Sequence, residues 1–307
     1  MPFPAQGVLP FPASAPQGRP VPARPAPGRS AASGRPAPAA RPTTLLCLDI
    51  ETVPDAELVP ADWPADKFPK PAWHRVVAVS YARARIVTDP ATSLETYVVE
   101  HCRSGGEATW GEERLLRGFW RLFDAGAHRL VTWNGRSFDV PVLQLRAFVH
   151  GIPASAWYRR GDRWSGYSAR YSQEYHADLL ELLSAHGAST RMGLDEMATA
   201  MGLPGKAGEH GSIVGHHIAE GDIERVRNYC ECDVLNTLGL YIRWSYLCGQ
   251  SDEAGHDASM RSLVDYLRRE GVQRPHLKAF LDRWAASARP APMHVARGGR
   301  ATEPAAR

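Results

Sequence analysis

"LLCLDIET" runs from Leu45 to Thr52, three leucines and a cysteine leading into two carboxylates, Asp49 and Glu51, with only Ile50 between them. So few polar interruptions fit a strand buried on both faces of a sheet. Strand side chains alternate, so Asp49 and Glu51 point to the same side. Two like charges that close repel unless something positive lies between them. One reading is a pair of surface acids at a strand end. The other is a hard-cation site, since carboxylate oxygens suit Mg²⁺ or Mn²⁺. Asp-x-Glu alone does not separate the two.

Outward from this strand, residues 53–73 hold five prolines and read as a loop. "RVVAVSYARAR" (75–85) and "SLETYVVEH" (93–101) read as strands. Between them "IVTDPAT" either extends the first or turns at Asp89-Pro90. "GEERLLRGFWRLFDAG" (111–126) is an amphipathic helix with Leu115, Leu116, Phe119, Leu122 and Phe123 as its stripe. "RLVTWNG" (129–135) is a short strand ending in a turn, and 137–151 a helix stopped by Gly151. Residues 152–177 form a long connection. Helical patterns follow at 178–186, 191–202 and 222–248, and 257–287 reads as two helices broken near Pro275. The order predicts an α/β fold: a mixed sheet flanked by helices, with a helical C-terminal part.

Residues 1–43 are Pro, Ala, Gly, Ser and Arg of low complexity and bury too little apolar surface to order a chain. They read as a disordered tail, as do 289–307. The net charge of +3 hides an asymmetry: the two ends carry +5 and +3, which leaves 44–288 at −5. An acidic body is no passive nucleic-acid sponge; it fits a site that stores negative charge, or an ordinary soluble surface. The five cysteines are odd in number and contain no CxxC pair. Cys230 and Cys232, two apart, point to different sides of a helix. Reduced thiols and a cytoplasmic location are expected. No apolar run approaches the ~18 residues of a membrane helix, and no signal-type apolar region opens the chain. The Arg-rich, acid-poor start also fits a transit peptide, although its Pro and Ala argue against an amphipathic helix.

Two further stretches carry acids. In "VTWNGRSFDVPVL" a strand runs to Trp133, a turn follows at Asn134-Gly135, and Asp139 sits in the first turn of a helix. The helix dipole alone accounts for such an Asp; strand ends in α/β sheets are also where ligands bind. In "RVRNYCECDVLNTLGLY", Tyr229 and Asp233 share a helix face, with Asn236 and Thr237 near it. Polar groups in the middle of an apolar helix are costly unless satisfied. The acids follow one another at spacings of 90 and 94 residues.

Taken together, "LDIET", "NGRSFD" and "YCECD" resemble the three motifs of the DEDD 3′–5′ exonucleases, which have a ribonuclease H-like fold. The Tyr-x-x-x-Asp form is that of the DEDDy subclass. The chain is similar to the proofreading domains of family B DNA polymerases and to stand-alone predicted proteins like them, a group that "GLPGKAGEHGSIV" (202–214) also resembles. The resemblance covers 44–250, leaving 251–288 as a C-terminal helical extension.

It implies a metal-dependent 3′–5′ exonuclease acting on the 3′ ends of single-stranded nucleic acid, DNA favoured. Asp49, Glu51, Asp139 and Asp233 would hold two Mg²⁺ or Mn²⁺ ions about 3.5–4 Å apart. Asp49 would bridge them, and Tyr229 would orient the attacking water. The stretch after the first motif implies that Thr52 and Val53 approach the terminal nucleotide; Asn134 and Phe138 are further candidates, Phe138 by stacking. Residues 157–176 interleave four Arg with two Trp and four Tyr, the make-up of a stacking groove or of a packed surface loop. His176 is a candidate for lining the cleft, and Asp178 for lining it or capping the next helix. His216-His217 is read as helix surface. Trp110, Trp120, Trp244 and Trp284 are assigned to core or groove.

Rival readings are an RNA exonuclease of the same fold, a non-catalytic nucleic-acid-binding module, and a ribonuclease H-type endonuclease or transposase, which lacks the Tyr-x-x-x-Asp helix. Only 74 residues follow Asp233, too few for a polymerase palm. Proofreading would therefore need a separate polymerase or repair partner.

Overall fold

Strand β1 (Thr44–Pro54) is the middle of a five-stranded sheet ordered β3-β2-β1-β4-β5. It pairs antiparallel with β2 (His74–Thr88) and parallel with β4 (His128–Thr132). β3 (Glu95–Ser104) and β5 (His176–Asp178) are the two edges. The protein is seen in a computed structural model that describes residues 42–64, 66–206 and 213–287. Both expected tails, but for residues 42 and 43, lie outside the described residues.

The alternation of β1 divides the core. Leu46, Leu48 and Ile50 face one layer, with α1 (Glu112–Asp124) and α2 (Asp139–Val149). Leu45 and Cys47 face the other, with the long helix α7 (Ile223–Leu247) and α8 (Glu253–Glu270) and α9 (Pro275–Ser287) beyond it. Asp49 and Glu51 follow Cys47 on the α7 side. A register shift between Glu51 and Thr52 marks where the acid pair leaves the regular ladder.

Short elements depart from the sequence reading. β4 stops at Thr132, because Asn134 turns the chain with a left-handed φ of 65°. The 152–177 connection contains a short helix, α3 (Ser155–Arg159), and leads into β5. Trp157, Tyr167 and Tyr175 from this segment are core, whereas Tyr158, Trp164 and Tyr171 are exposed. Helices α4 (Leu179–Leu183), α5 (Leu194–Ala200) and α6 (Val214–Ala219) are all short. On α6 His216 is exposed, but His217 is buried, against its assignment to the surface. β2 runs to Thr88 before Asp89 caps the turn by accepting from the Ala91 and Thr92 amides. Among the described residues no helix is long and apolar enough to cross a membrane.

The C-terminal helices are integral to this core. Ser259 and Ser262 Oγ and Tyr266 Oη on α8 accept from the backbone N–H groups of Tyr97, Val99 and Cys102 along the β3 edge, at 2.8, 2.9 and 2.7 Å. An edge strand left open would invite pairing with another chain. Glu231 on α7 ties the same parts together. It accepts from the Ser104 amide at 2.7 Å and from His276 Nε2 at 2.8 Å, and it pairs with Arg274. Burial pushes its carboxyl up, but the bonds from His276, Arg274 and Ser104 outweigh that and hold it low. A depressed carboxyl stabilises above its unfolded pKa, and the contribution fades as pH falls through the folded value. Glu231→Ala leaves Arg274 without its carboxylate, and the expected loss is about 3 kcal/mol at neutral pH, read by urea denaturation. A loss within error of zero would make α9 an appendage.

Candidate active site

Three elements converge at the C-terminal end of β1. Asp49 and Glu51 come from β1, Asp139 from the first turn of α2, and Tyr229 and Asp233 from one face of α7. Asp139 Oδ1 accepts the Ile50 amide at 3.1 Å, which fixes the start of α2 against the strand. Cys230 Sγ lies 3.3 Å from Asp49 Oδ2 and fixes α7 against it. Cys232, by contrast, is only partly buried and points elsewhere, as a two-residue step on a helix requires. Tyr229 packs its ring with Val53 and Val226.

The carboxylates are short of positive charge. Burial raises the Asp49 carboxyl well above its ordinary range, and Asp139 and Asp233 raise it further. Glu51 is raised by burial, then by Asp49 and Asp233. Asp139 is pushed up to about 7, chiefly by burial. Asp233 is raised by burial against the pull of a lysine.

That lysine is Lys206, to which sequence reasoning gave no role. Its Nζ donates to Tyr229 Oη at 2.7 Å and pairs with Asp233 Oδ2 at 2.8 Å. The backbone that aims it is held on both sides. Gly205 has a φ of +63°, and a Cβ there would lie 2.3 Å from Asp195 Oδ1. The Lys206 amide donates to that same carboxylate at 2.6 Å. Asn236, fully buried on α7, donates to the Gly205 carbonyl at 3.0 Å and accepts its amide at 3.3 Å. This satisfies the polar group that looked costly inside α7.

One cation among four acids leaves a deficit, and the donor set fits divalent ions. Ligand atoms of Asp49, Glu51 and Cys230 lie within 4.8 Å of one another. Asp233 Oδ1 is buried with no hydrogen-bond partner among the described residues. Such an oxygen is costly unless it binds something positive. Oxygen donors of this kind suit Mg²⁺ or Mn²⁺.

A cleft of about 440 Å³ opens beside the acids, lined by Asp49, Trp133, Asn134, Asp195, Lys206 and Asp233. Asn134 is held there by Asp178, which caps α4 and also accepts the Asn134 and Arg136 amides at 3.0 and 2.7 Å. Phe138 sits on the other side, 5.0 Å from His74 and 5.6 Å from the exposed Phe68 between ring centres. Thr52 Oγ1 is 3.0 Å from His74 Nδ1. Val53 is buried behind Tyr229 rather than open to the cleft. His176 is a correction. Alternation along β5 sends Ala177 to the α7 side and His176 to the opposite layer, where it is 2 % exposed, meets Thr132 Oγ1 at 2.9 Å and packs on Trp157.

Residues 66–284 match the model of a family described as predicted 3′–5′ exonucleases related to the exonuclease domain of PolB. The match begins after β1, so Asp49 and Glu51 lie outside it. No curated protein matches. Among solved structures, the family B DNA polymerase of Pyrobaculum calidifontis is similar at 20 % identity and a TM-score of 0.43, over 76 % of this chain and 29 % of that one. E. coli exonuclease I in complex with a dT13 oligonucleotide is similar at 14 % identity and 0.36, over 77 % and 46 %. The chain thus spans less than half the length of either.

Proposed function

Because the chain belongs to the family of predicted 3′–5′ exonucleases related to the exonuclease domain of PolB, we propose that it removes nucleotides from the 3′ end of single-stranded DNA with two divalent ions, Mg²⁺ or Mn²⁺. The observation that carries the reading is the cluster itself: Asp49, Glu51, Asp139 and Asp233 raised together by burial, with one Asp233 oxygen left unpartnered. The relation to a DNA polymerase domain supports DNA over RNA.

Asp49, Glu51, Asp139 and Asp233 would hold the ions, which when bound activate water and offset charge on the phosphoryl group and the leaving 3′ oxygen. Lys206 donates into the Tyr229 hydroxyl oxygen and holds it beside Asp233, where the hydroxyl is placed to orient the attacking water. Phe138 and Phe68 offer faces for the terminal base, and Asn134 a polar group for its sugar or base. The five cysteines, none in a disulfide, support a cytoplasmic setting.

The test uses 3′- and 5′-labelled single strands of DNA and RNA with Mg²⁺, Mn²⁺ or EDTA. A 5′-labelled DNA strand should shorten as a ladder with metal and stay intact in EDTA. Faster loss of RNA would transfer the reading to RNA. Internal cuts, or no cleavage with either metal, would overturn it.

A further inference from the structure

A second cavity, of about 370 Å³, lies between α7 and α9 on the far side of Lys206 from the cleft. Arg225, Asn228 and Tyr229 reach it from α7, His276 and Arg283 from α9, and Lys206 and Asp233 form its boundary with the acids. Helical spacing makes this one stripe on each helix. His276, Ala279 and Arg283 are three and seven residues apart along α9, beside the buried stripe of Leu277, Phe280 and Trp284. Ala279 leaves room where a larger side chain would close the gap.

Four basic side chains thus surround one small cavity at the edge of the reacting centre. Lys206 is matched with Asp233 and His276 with Glu231, and Arg225 has an interaction of its own. Arg283 is not matched by an acid, and its Nε is buried with no hydrogen-bond partner among the described residues. An arginine held half-buried without a carboxylate, on a wall shared with a basic neighbour, fits an anion that accepts several N–H bonds.

We infer that this cavity is a phosphate subsite, with Arg283 as its principal donor, taking a phosphate of the strand next to the scissile bond. It rests on the exonuclease reading for the identity of the strand. The α9 helix then contributes to substrate binding as well as to the core. A backbone diester and a released nucleoside 5′-monophosphate present the same chemistry, and the test separates them.

Binding of a fluorescein-labelled dT oligomer is measured by anisotropy in EDTA over a range of NaCl, for the wild type, Arg283→Gln and Arg283→Lys. Arg268→Gln, at an exposed position on α8, is the charge control. Arg283→Gln should weaken binding about 5- to 10-fold and reduce the slope of log K against log salt by about 0.7, one phosphate contact on a single strand. Arg283→Lys should restore most of the slope, and Arg268→Gln should leave it alone. With metal, the loss should fall mainly on KM. If dTMP inhibition weakens instead while strand binding holds, the subsite takes the released nucleotide. Neither change, in an Arg283→Gln protein with a wild-type urea midpoint, would overturn the subsite. Because binding is read in EDTA, that result is distinct from failure of the wild type to shorten a strand, which would sink the exonuclease reading.

Discussion

Asp49→Ala should lower turnover on a 5′-labelled strand by more than about 10³-fold and yet leave the metal-free protein at least as stable as the wild type. The two effects have one cause. Burial, Asp139 and Asp233 raise the Asp49 carboxyl. A group whose folded pKa is raised contributes fully below its unfolded value, and that contribution is lost as pH rises through the folded value. In EDTA at pH 8 the wild type therefore bears a cost, that of a buried charge or of the proton taken up to neutralise it, which alanine removes. The melting temperatures should converge as pH falls below about 4 and meet near about 3, where the carboxyl is protonated in both states. The variant loses the contact from Cys230, a weak donor, which reduces the gain without reversing it. Mg²⁺ should raise the wild-type melting temperature more than that of the variant. Cleavage at the wild-type rate would remove Asp49 from the site.

Tyr229→Phe should lower kcat about 10- to 10³-fold, the worth of one transition-state hydrogen bond, with little change in metal affinity. The ring keeps its packing on Val53 and Val226, so the fold should hold. Asp233→Asn, one turn along α7, should instead weaken metal binding. Lys206→Met joins the two, since it strips the donor from Tyr229 Oη and the partner from Asp233. It should lower both kcat and metal-free stability, the latter by about 2 kcal/mol at neutral pH. An unaltered kcat for Tyr229→Phe, at saturating metal across several pH values, would make Tyr229 a packing residue.

What could be read from the sequence follows from how each group is placed. Asp49, Glu51, Tyr229 and Asp233 sit on long regular elements whose periodicity fixes a common face, so their convergence was legible. Lys206 arrives on a loop, where no period assigns a direction. Its signal was the Gly-Lys step inside a stretch quoted for its likeness alone, and the left-handed Gly205 is the physical reason for that step. His176 was misplaced because β5 has three residues, too few to reveal an alternation. His217 was taken as surface from its pairing with His216, although α6 buries one side. The hydroxyls of Ser259, Ser262 and Tyr266 look like ordinary helix positions until the edge they cap is known.

The position of β1 at the middle of the sheet bears on how the molecule is made. Ile50 and Asp139 meet across 89 residues of chain, and Asp49 and Cys230 across 181. Contacts of such separation form late, since long loops must close first, and they slow folding. A chain emerging from synthesis is able to pair β1 with β2 and β2 with β3 while α7 is still missing. At that stage it holds two of the acids and lacks the Tyr-x-x-x-Asp helix. If the proposed site is the active one, hydrolytic competence therefore arrives as a late event of folding, and a chain still lacking α7 is inert toward nucleic acid.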